Sequence, residues 1–324
     1  MSKQSYVFVD AEEYAVDEED REIRVRRLFM YSEDALIIAE SVELIHVAHD
    51  DFKHGLLGFD RVFQLSRRLQ TPNGVLLLGA TGTGKTTLIR YFVGSLPQSS
   101  LFEAGSGAIA IRLQHRPTPG STISVLLAAI KYPFPQVNAN TIYQKRDVLI
   151  DALKQKGTRE LLVDESQHLA TQVRYRGVSP GEHTKATDLL CQLMDEAGLG
   201  LVLCARDGFD LEHVDPALAS RVSVRLQLRN FPAGAAWTGF VRAFCKASKR
   251  FDLSFLESDE QCGLLHLATD GNLRSFKRLV TEAVLVAVDQ GAQKLTAEVL
   301  SLAFERVQGR STPRINPYAE RKAA

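Results

Sequence analysis

Apolar residues in this chain fall into short continuous runs separated by longer stretches of helical period. The short runs are Val75-Leu76-Leu77-Leu78, Ala108-Ile109-Ala110-Ile111-Arg112-Leu113, Leu161-Leu162-Val163-Asp164, Leu201-Val202-Leu203-Cys204 and Val222-Ser223-Val224-Arg225-Leu226-Gln227-Leu228. Short apolar runs with little alternation read as strands buried on both faces, and the last run, which alternates with Ser223, Arg225 and Gln227, also reads as a strand. Between them, helical spacing appears over 59–70, after Thr86, and over 121–131, 141–155 and 185–197, with a polar, Gly-containing loop over 171–183. Gly157, Gly198 and Gly200 act as stops, while Pro133 and Pro135 break the chain. Strands alternating with helices predict a parallel sheet covered on both faces. Upstream, residues 33–48 carry a helical period through Leu36, Ile37, Ala39, Val42, Leu44, Ile45 and Val47. From about 233 onward no strand is visible. Helices read over 235–249, 258–269, 272–290 and 296–307, with a capping box at Ser258 and Gln261.

At 324 residues the chain is long enough for one large domain and a smaller one. Lys+Arg and Asp+Glu both count 39, so the formal net charge is zero, which argues against tight, purely electrostatic DNA binding by a single copy. Cys191, Cys204, Cys245 and Cys262 form no C-x-x-C pair and read as buried free thiols. His46, His49 and His54 lie near Asp50 and Asp51, but no other ligand cluster stands nearby, so no metal site is expected there. Asp17-Glu18-Glu19-Asp20 precedes Arg21, Arg24, Arg26 and Arg27, charge blocks that can pair locally. No signal peptide reads at the N-terminus and no apolar run approaches membrane-spanning length, so a cytoplasmic location and no membrane partner are expected.

The first strand run leads into Gly79-Ala80-Thr81-Gly82-Thr83-Gly84-Lys85-Thr86, a full G-x-x-x-x-G-K-[ST] phosphate-binding loop followed by a helix. The glycines let successive N–H groups face a phosphate, and the helix N-terminus adds positive potential. Lys85 is expected to reach the β- and γ-phosphates, and Thr86 to hold Mg²⁺. Gly79, Thr81, Gly82, Thr83, Gly84, Lys85, Thr86 and Thr87, with Asp164, form the expected ATP-binding set. The third run ends in Asp164-Glu165. Asp164 would hold the metal directly or through water, and Glu165 would orient and deprotonate the attacking water. ATP and Mg²⁺ are therefore the expected cofactors, and ATP hydrolysis the expected reaction.

An α/β nucleotide domain followed by a small helical lid, with Glu beside the metal-binding Asp, resembles the AAA+ ATPases. The resemblance implies a P-loop AAA+ domain over 51–232 with a parallel sheet flanked by helices. A small all-helical lid domain would follow over 233–308, with a charged, helical N-terminal extension over 1–50 and a flexible tail over 309–324. It also implies two further catalytic residues. Arg221 in Pro216-Ala217-Leu218-Ala219-Ser220-Arg221 stands where the family carries its arginine finger, and Arg274 in Gly271-Asn272-Leu273-Arg274 where it carries its sensor-two arginine. At the sensor-one position the family's small polar residue is replaced by the run Cys204-Ala205-Arg206-Asp207, and that role stays open.

Asp164-Glu165-Ser166-Gln167-His168-Leu169, His115-Arg116-Pro117-Thr118 and the run from Gly271 to Ala283 resemble the TniB/TnsC ATPases of heteromeric, Tn-seven-like transposons. That likeness implies an ATP-switched homo-oligomer, a ring or helical filament, that binds double-stranded DNA with little sequence preference. It would mark target DNA and link a target-selector protein to a transposase. Arg116, Lys131, Lys145 and Arg146, after the second strand, are the candidate DNA contacts; each also reads as solvated surface charge. The alternative is a protein-remodelling or secretion-associated AAA+ ATPase that does not bind DNA. Tyr132-Pro133-Phe134-Pro135 is its one candidate pore loop, and the prolines make it a turn. A replication initiator or clamp-loader relative would need a further DNA-binding module, for which little chain remains after the lid.

Overall fold

A computed structural model describes residues 30–71, 73–96, 107–138, 140–172, 185–309 and 315–319. The charge blocks over 17–27, most of the loop over 171–183 and most of the tail lie outside the described residues.

The five apolar runs form strands β1 (Gly74–Gly79), β2 (Ala108–Arg112), β3 (Glu160–Asp164), β4 (Gly200–Ala205) and β5 (Val224–Leu228) of one sheet. Its order is β2-β3-β4-β1-β5 and every pairing is parallel. Alternation assigns each strand's side chains to two cores. Leu76, Leu161, Val163, Leu201, Leu203 and Ala205 point to one face, where helices α4 (Pro119–Ala129), α5 (Ile142–Gln155) and α6 (Ala186–Ala197) cover them. Val75, Leu77, Leu162, Val202 and Cys204 point to the other, against Phe52, Phe59 and Val62 of α2 (Asp50–Leu65) and Leu88, Ile89 and Phe92 of α3 (Lys85–Ser95). Both faces are therefore dry, which is why β1, β3 and β4 read as unbroken apolar runs rather than alternating ones. This is the α/β fold expected from the sequence: a parallel sheet flanked by helices, with a run of helices after β5 among the described residues.

The elements differ from the periodicity in several places. The first described helix, α1 (Glu33–Glu43), stops before residue 48, and α2 begins at Asp50 rather than 59. His49 causes this: its extended backbone and its Nδ1, which accepts from Phe52 N–H at 3.4 Å, cap α2, with Asp50 and Asp51 in the first turn. After β4 the chain also forms two short helices, α7 (Leu211–Val214) and α8 (Pro216–Arg221), capped by Asp210 and Asp215. The remaining helices are α9 (Ala235–Ala247), α10 (Asp259–Thr269), α11 (Leu273–Asp289) and α12 (Ala297–Gln308).

The chain forms two compact units. One comprises Val47–Phe240 with Thr269–Phe276; the other comprises the described parts of Met1–His46 and Lys277–Ala324 with Val241–Ala268. In the second unit α1 joins helices from the far end of the chain. Tyr31 Oη donates to Glu282 Oε1 at 2.5 Å, Ser32 Oγ to Asp289 Oδ1 at 2.7 Å and Lys277 Nζ to Glu43 O at 2.6 Å. Within the expected tail, Asn316 Nδ2 donates to Ser301 O and Oγ, and Tyr318 is buried. Among the described residues no helix is long and apolar enough to cross a membrane.

Candidate nucleotide site

The phosphate loop leaves the C-terminal end of β1, a central strand, and runs straight into α3. Ligands of open parallel sheets bind at this end, where helix N-termini converge. Gly84, in the left-handed region at φ 100°, caps α3, so the helix opens on Lys85 and Thr86. Lys85 Nζ folds back over the loop, donating to Gly79 O at 2.6 Å and Ala80 O at 2.9 Å. Burial pulls the Lys85 ammonium below its ordinary pKa, opposed by Cys204, Asp164, Asp207 and Glu165. Its contacts are thus neutral carbonyls at close range, and a bound polyanion would supply the charge it lacks.

At the end of β3, two strands away, Asp164 is 8% exposed. Thr86 Oγ1 donates to Asp164 Oδ2 at 2.7 Å, and Asp164 Oδ1 accepts from Glu165 N–H at 2.9 Å. A hydroxyl and a carboxylate held together at the loop are hard oxygen donors of the kind Mg²⁺ takes, so the residues fit that ion. Glu165 adopts the left-handed conformation (φ 56°, ψ 36°), unfavourable for a residue with a Cβ. The strain turns its carboxylate away from the strand into a ring of donors. Arg112 Nη2 stands 3.4 Å from Oε1, Arg206 Nη2 3.8 Å from Oε2, and Gln167 Nε2 donates to Oε2. Sequence reasoning left Arg206 open and missed Arg112 and Gln167. The register that sets Arg112 opposite Asp164 is the signal for Arg112, and strand order is needed to read it.

The run Gly271-Asn272-Leu273-Arg274 meets the loop from the other side, within the same compact unit. Asn272 Nδ2 donates to Thr81 O at 2.9 Å, and Arg274 N–H to Gly82 O at 3.1 Å. The Arg274 side chain is exposed at this point. Sequence reasoning named Arg274 and passed over Asn272. Thr83 is buried and Thr87 half-buried on the first turn of α3.

Arg221 closes α8 and is held by α6 of its own chain. Its Nε and Nη2 lie 3.1 and 2.8 Å from the two carboxylate oxygens of Asp195, and Nη1 donates to Ala217 O. Asp195 raises the Arg221 pKa further. The candidate DNA contacts all lie on the connection from β2 to β3. Arg116 and Lys131 are exposed in left-handed backbone conformations. Lys145 lies over the Tyr132 ring at 4.7 Å and donates to Phe134 O; Arg146 lies over Tyr143 and pairs with Asp147. His46 is bonded to Leu44 O and His49 packs on Phe52, Phe231 and Phe240; no metal-binding group of three or more ligands occurs among the described residues.

A family model described as an AAA domain matches residues 67–211, from before β1 into α7. Solved structures share the fold. The ORC2 protein of Aeropyrum pernix, solved as ADPNP-ADP complexes, has a TM-score of 0.58 at 16% identity, covering 82% of this chain and 69% of that one. The ORC1 protein of the same organism, solved in complex with DNA, has a TM-score of 0.54 at 18% identity over 79% of this chain and 65% of that one. Cdc6p from Pyrobaculum aerophilum has 0.53 at 15% identity, covering 79% and 66%. This chain thus spans roughly two thirds of the length of these neighbours, and at such identities the likeness is one of fold. No curated protein sequence matches the chain.

Proposed function

We propose that the chain is an ATP-dependent, DNA-associated AAA+ regulator that hydrolyses ATP and serves transposition in the cytoplasm. The observation carrying this reading is the convergence of Lys85, Thr86, Asp164 and Glu165 at one end of the sheet, each with the donor or acceptor chemistry its step requires. Lys85 places positive charge against the β- and γ-phosphates. Thr86 and Asp164 hold Mg²⁺, which when bound offsets charge developing on the phosphate oxygens. Glu165 takes the proton of the attacking water on a lone pair that Arg112 and Gln167 do not use. Arg274 opens α11 beside the loop and serves as the in-chain arginine. Arg221 exchanges Asp195 for the γ-phosphate held by a neighbouring copy, so the site is completed in a ring or filament. The helices after residue 233 act as a lid.

Zero net charge is consistent with DNA contacts that count only when many copies align Arg116, Lys131, Lys145 and Arg146 along one duplex. The proposed protein partners are a transposase and a target selector. A second reading, an initiator-type DNA-binding ATPase, is favoured by the fold neighbours, one of which was solved with DNA. Anisotropy on labelled duplexes separates these from a remodelling ATPase. Binding should be weak without nucleotide and tight with a non-hydrolysable ATP analogue, cooperative in protein, indifferent to sequence and steeply weakened by salt. A strong preference for one duplex sequence would favour the initiator reading. No binding with the analogue at low salt would favour the remodelling one.

A further inference from the structure

The tip of the phosphate loop is tied from outside by the polar start of α11, and the residue that makes the tie is Asn272. Every polar atom of its side chain is engaged. Nδ2 donates to Thr81 O at 2.9 Å and to Asn230 Oδ1 at 3.0 Å, while Oδ1 accepts from Ser275 N–H at 3.2 Å and caps α11. Arg274 N–H adds a parallel bond to Gly82 O at 3.1 Å. The approach is close enough to dictate a glycine in the loop, and a contact with Phe231 dictates a second beside Asn272. A Cβ on Gly82 would lie 2.5 Å from Asn272 Oδ1, and one on Gly271, at φ 63°, would lie 2.0 Å from Phe231 O.

We infer that Asn272 is a positioning residue of the phosphate site, fixing the orientation of the Thr81–Gly82–Thr83 peptides from behind the loop. The inference rests on the nucleotide-binding reading proposed above. Its physical basis is the planarity of the trans peptide, in which a carbonyl and the following N–H point in opposite directions. No described peptide is cis. With Thr81 O and Gly82 O drawn toward α11, the N–H groups of Gly82 and Thr83 are turned the other way, into the loop. Thr83 N–H already points there, reaching Ala80 O at 3.4 Å. Asn272 therefore preorganises donors that a triphosphate uses, and it couples phosphate occupancy to the order of the first turn of α11.

Two substitutions separate this role from the helix cap. Asn272→Ser and Asn272→Asp both keep a good capping oxygen. Serine is too short to reach Thr81 O, and aspartate presents an acceptor where a donor is needed. Titration of a fluorescent ATP analogue and of ADP should give affinities lowered by about 10-fold for serine and more for aspartate, the size of one lost hydrogen bond beside a ligand. Melting temperature without nucleotide should fall by only a few degrees, the size of one or two lost surface hydrogen bonds, while amide exchange over residues 79–84 accelerates. Wild-type affinity in both variants, with the parent protein binding normally, would overturn the inference and leave Asn272 a helix cap. Failure of the parent to bind either nucleotide would instead overturn the nucleotide reading and this inference with it.

Discussion

Glu160 and Asp164 begin and end the same strand, and both are buried among apolar side chains of a parallel sheet. Asp164 finds a hydroxyl and a backbone N–H within 2.7 and 2.9 Å. Glu160, at 0% exposure, finds no hydrogen-bond partner for either carboxylate oxygen among the described residues. The difference follows from the direction of the strands. At their C-terminal ends the chain turns into loops and helix N-termini rich in free N–H groups, so an acid there is solvated by protein and can be given work. At their N-terminal ends the chain arrives from helix C-termini, whose carbonyls repel a carboxylate. Burial pushes Glu160 well above the ordinary carboxylate pKa, with Asp60 adding to the effect. One end of β3 gives its acid hydrogen-bond partners and the other carries its acid as a burden on stability.

The largest effect that would break this contrast belongs to the first end. Lys85→Ala should weaken ATP binding by about 100-fold or more, because no other residue of the loop can bring a positive charge to the phosphates. Wild-type affinity in a nucleotide titration would move the site elsewhere. Glu165→Gln should retain ATP binding yet lower steady-state phosphate release by about 10²- to 10³-fold, since the amide keeps the shape but takes no proton. Turnover at the parent rate would mean another base. A third test asks whether the Asp164 end is completed by a second copy. Arg221→Ala mixed with Lys85→Ala should recover part of the ATPase lost in each alone, one mutant supplying the arginine and the other the intact loop. No recovery at any ratio, with assembly verified by light scattering, would place the arginine's role within its own chain.

The comparison also separates what was legible in the sequence from what was not. The strand, the loop, Lys85 and the Asp164-Glu165 pair were readable because each is a contiguous pattern whose meaning is local, and the five strands stand within about two residues of the runs that announced them. Residues brought in by tertiary contact were not. Arg112 reaches Glu165 across 53 residues and Asn272 reaches Thr81 across 191, and neither has a local signature that separates it from a surface residue. Helix α2 was placed late because a histidine cap is unusual and the polar residues after it hid the period. The helices α7 and α8 are too short to show one. Glu160 was missed for the opposite reason. An acid before an apolar run reads as the solvated end of a strand, and only the finished sheet reveals that it is enclosed.

Replacing that acid gives the smallest expected effect and the sharpest test of the contrast. In the folded chain Glu160 holds its proton above the pH at which the unfolded chain, near the ordinary value of 4.5, has released it. Over that window the folded state binds more protons than the unfolded one, so stability must fall as pH rises from 4.5 toward the folded pKa. Glu160→Met removes the titrating group and leaves an apolar side chain of similar length between the sheet and α2. The variant should be more stable than the parent by about 1–3 kcal/mol at pH 4.5, the usual cost of an unsatisfied buried polar group, and by more at pH 8, where the parent also loses the stability linked to the proton it holds. Urea unfolding at the two pH values measures both differences. ATP turnover should not change, because the residue lies at the far end of β3 from the loop. A variant less stable than the parent at pH 8, or a gain that does not grow with pH, would mean that Glu160 is satisfied in solution and that the two ends of the strand are not unlike after all.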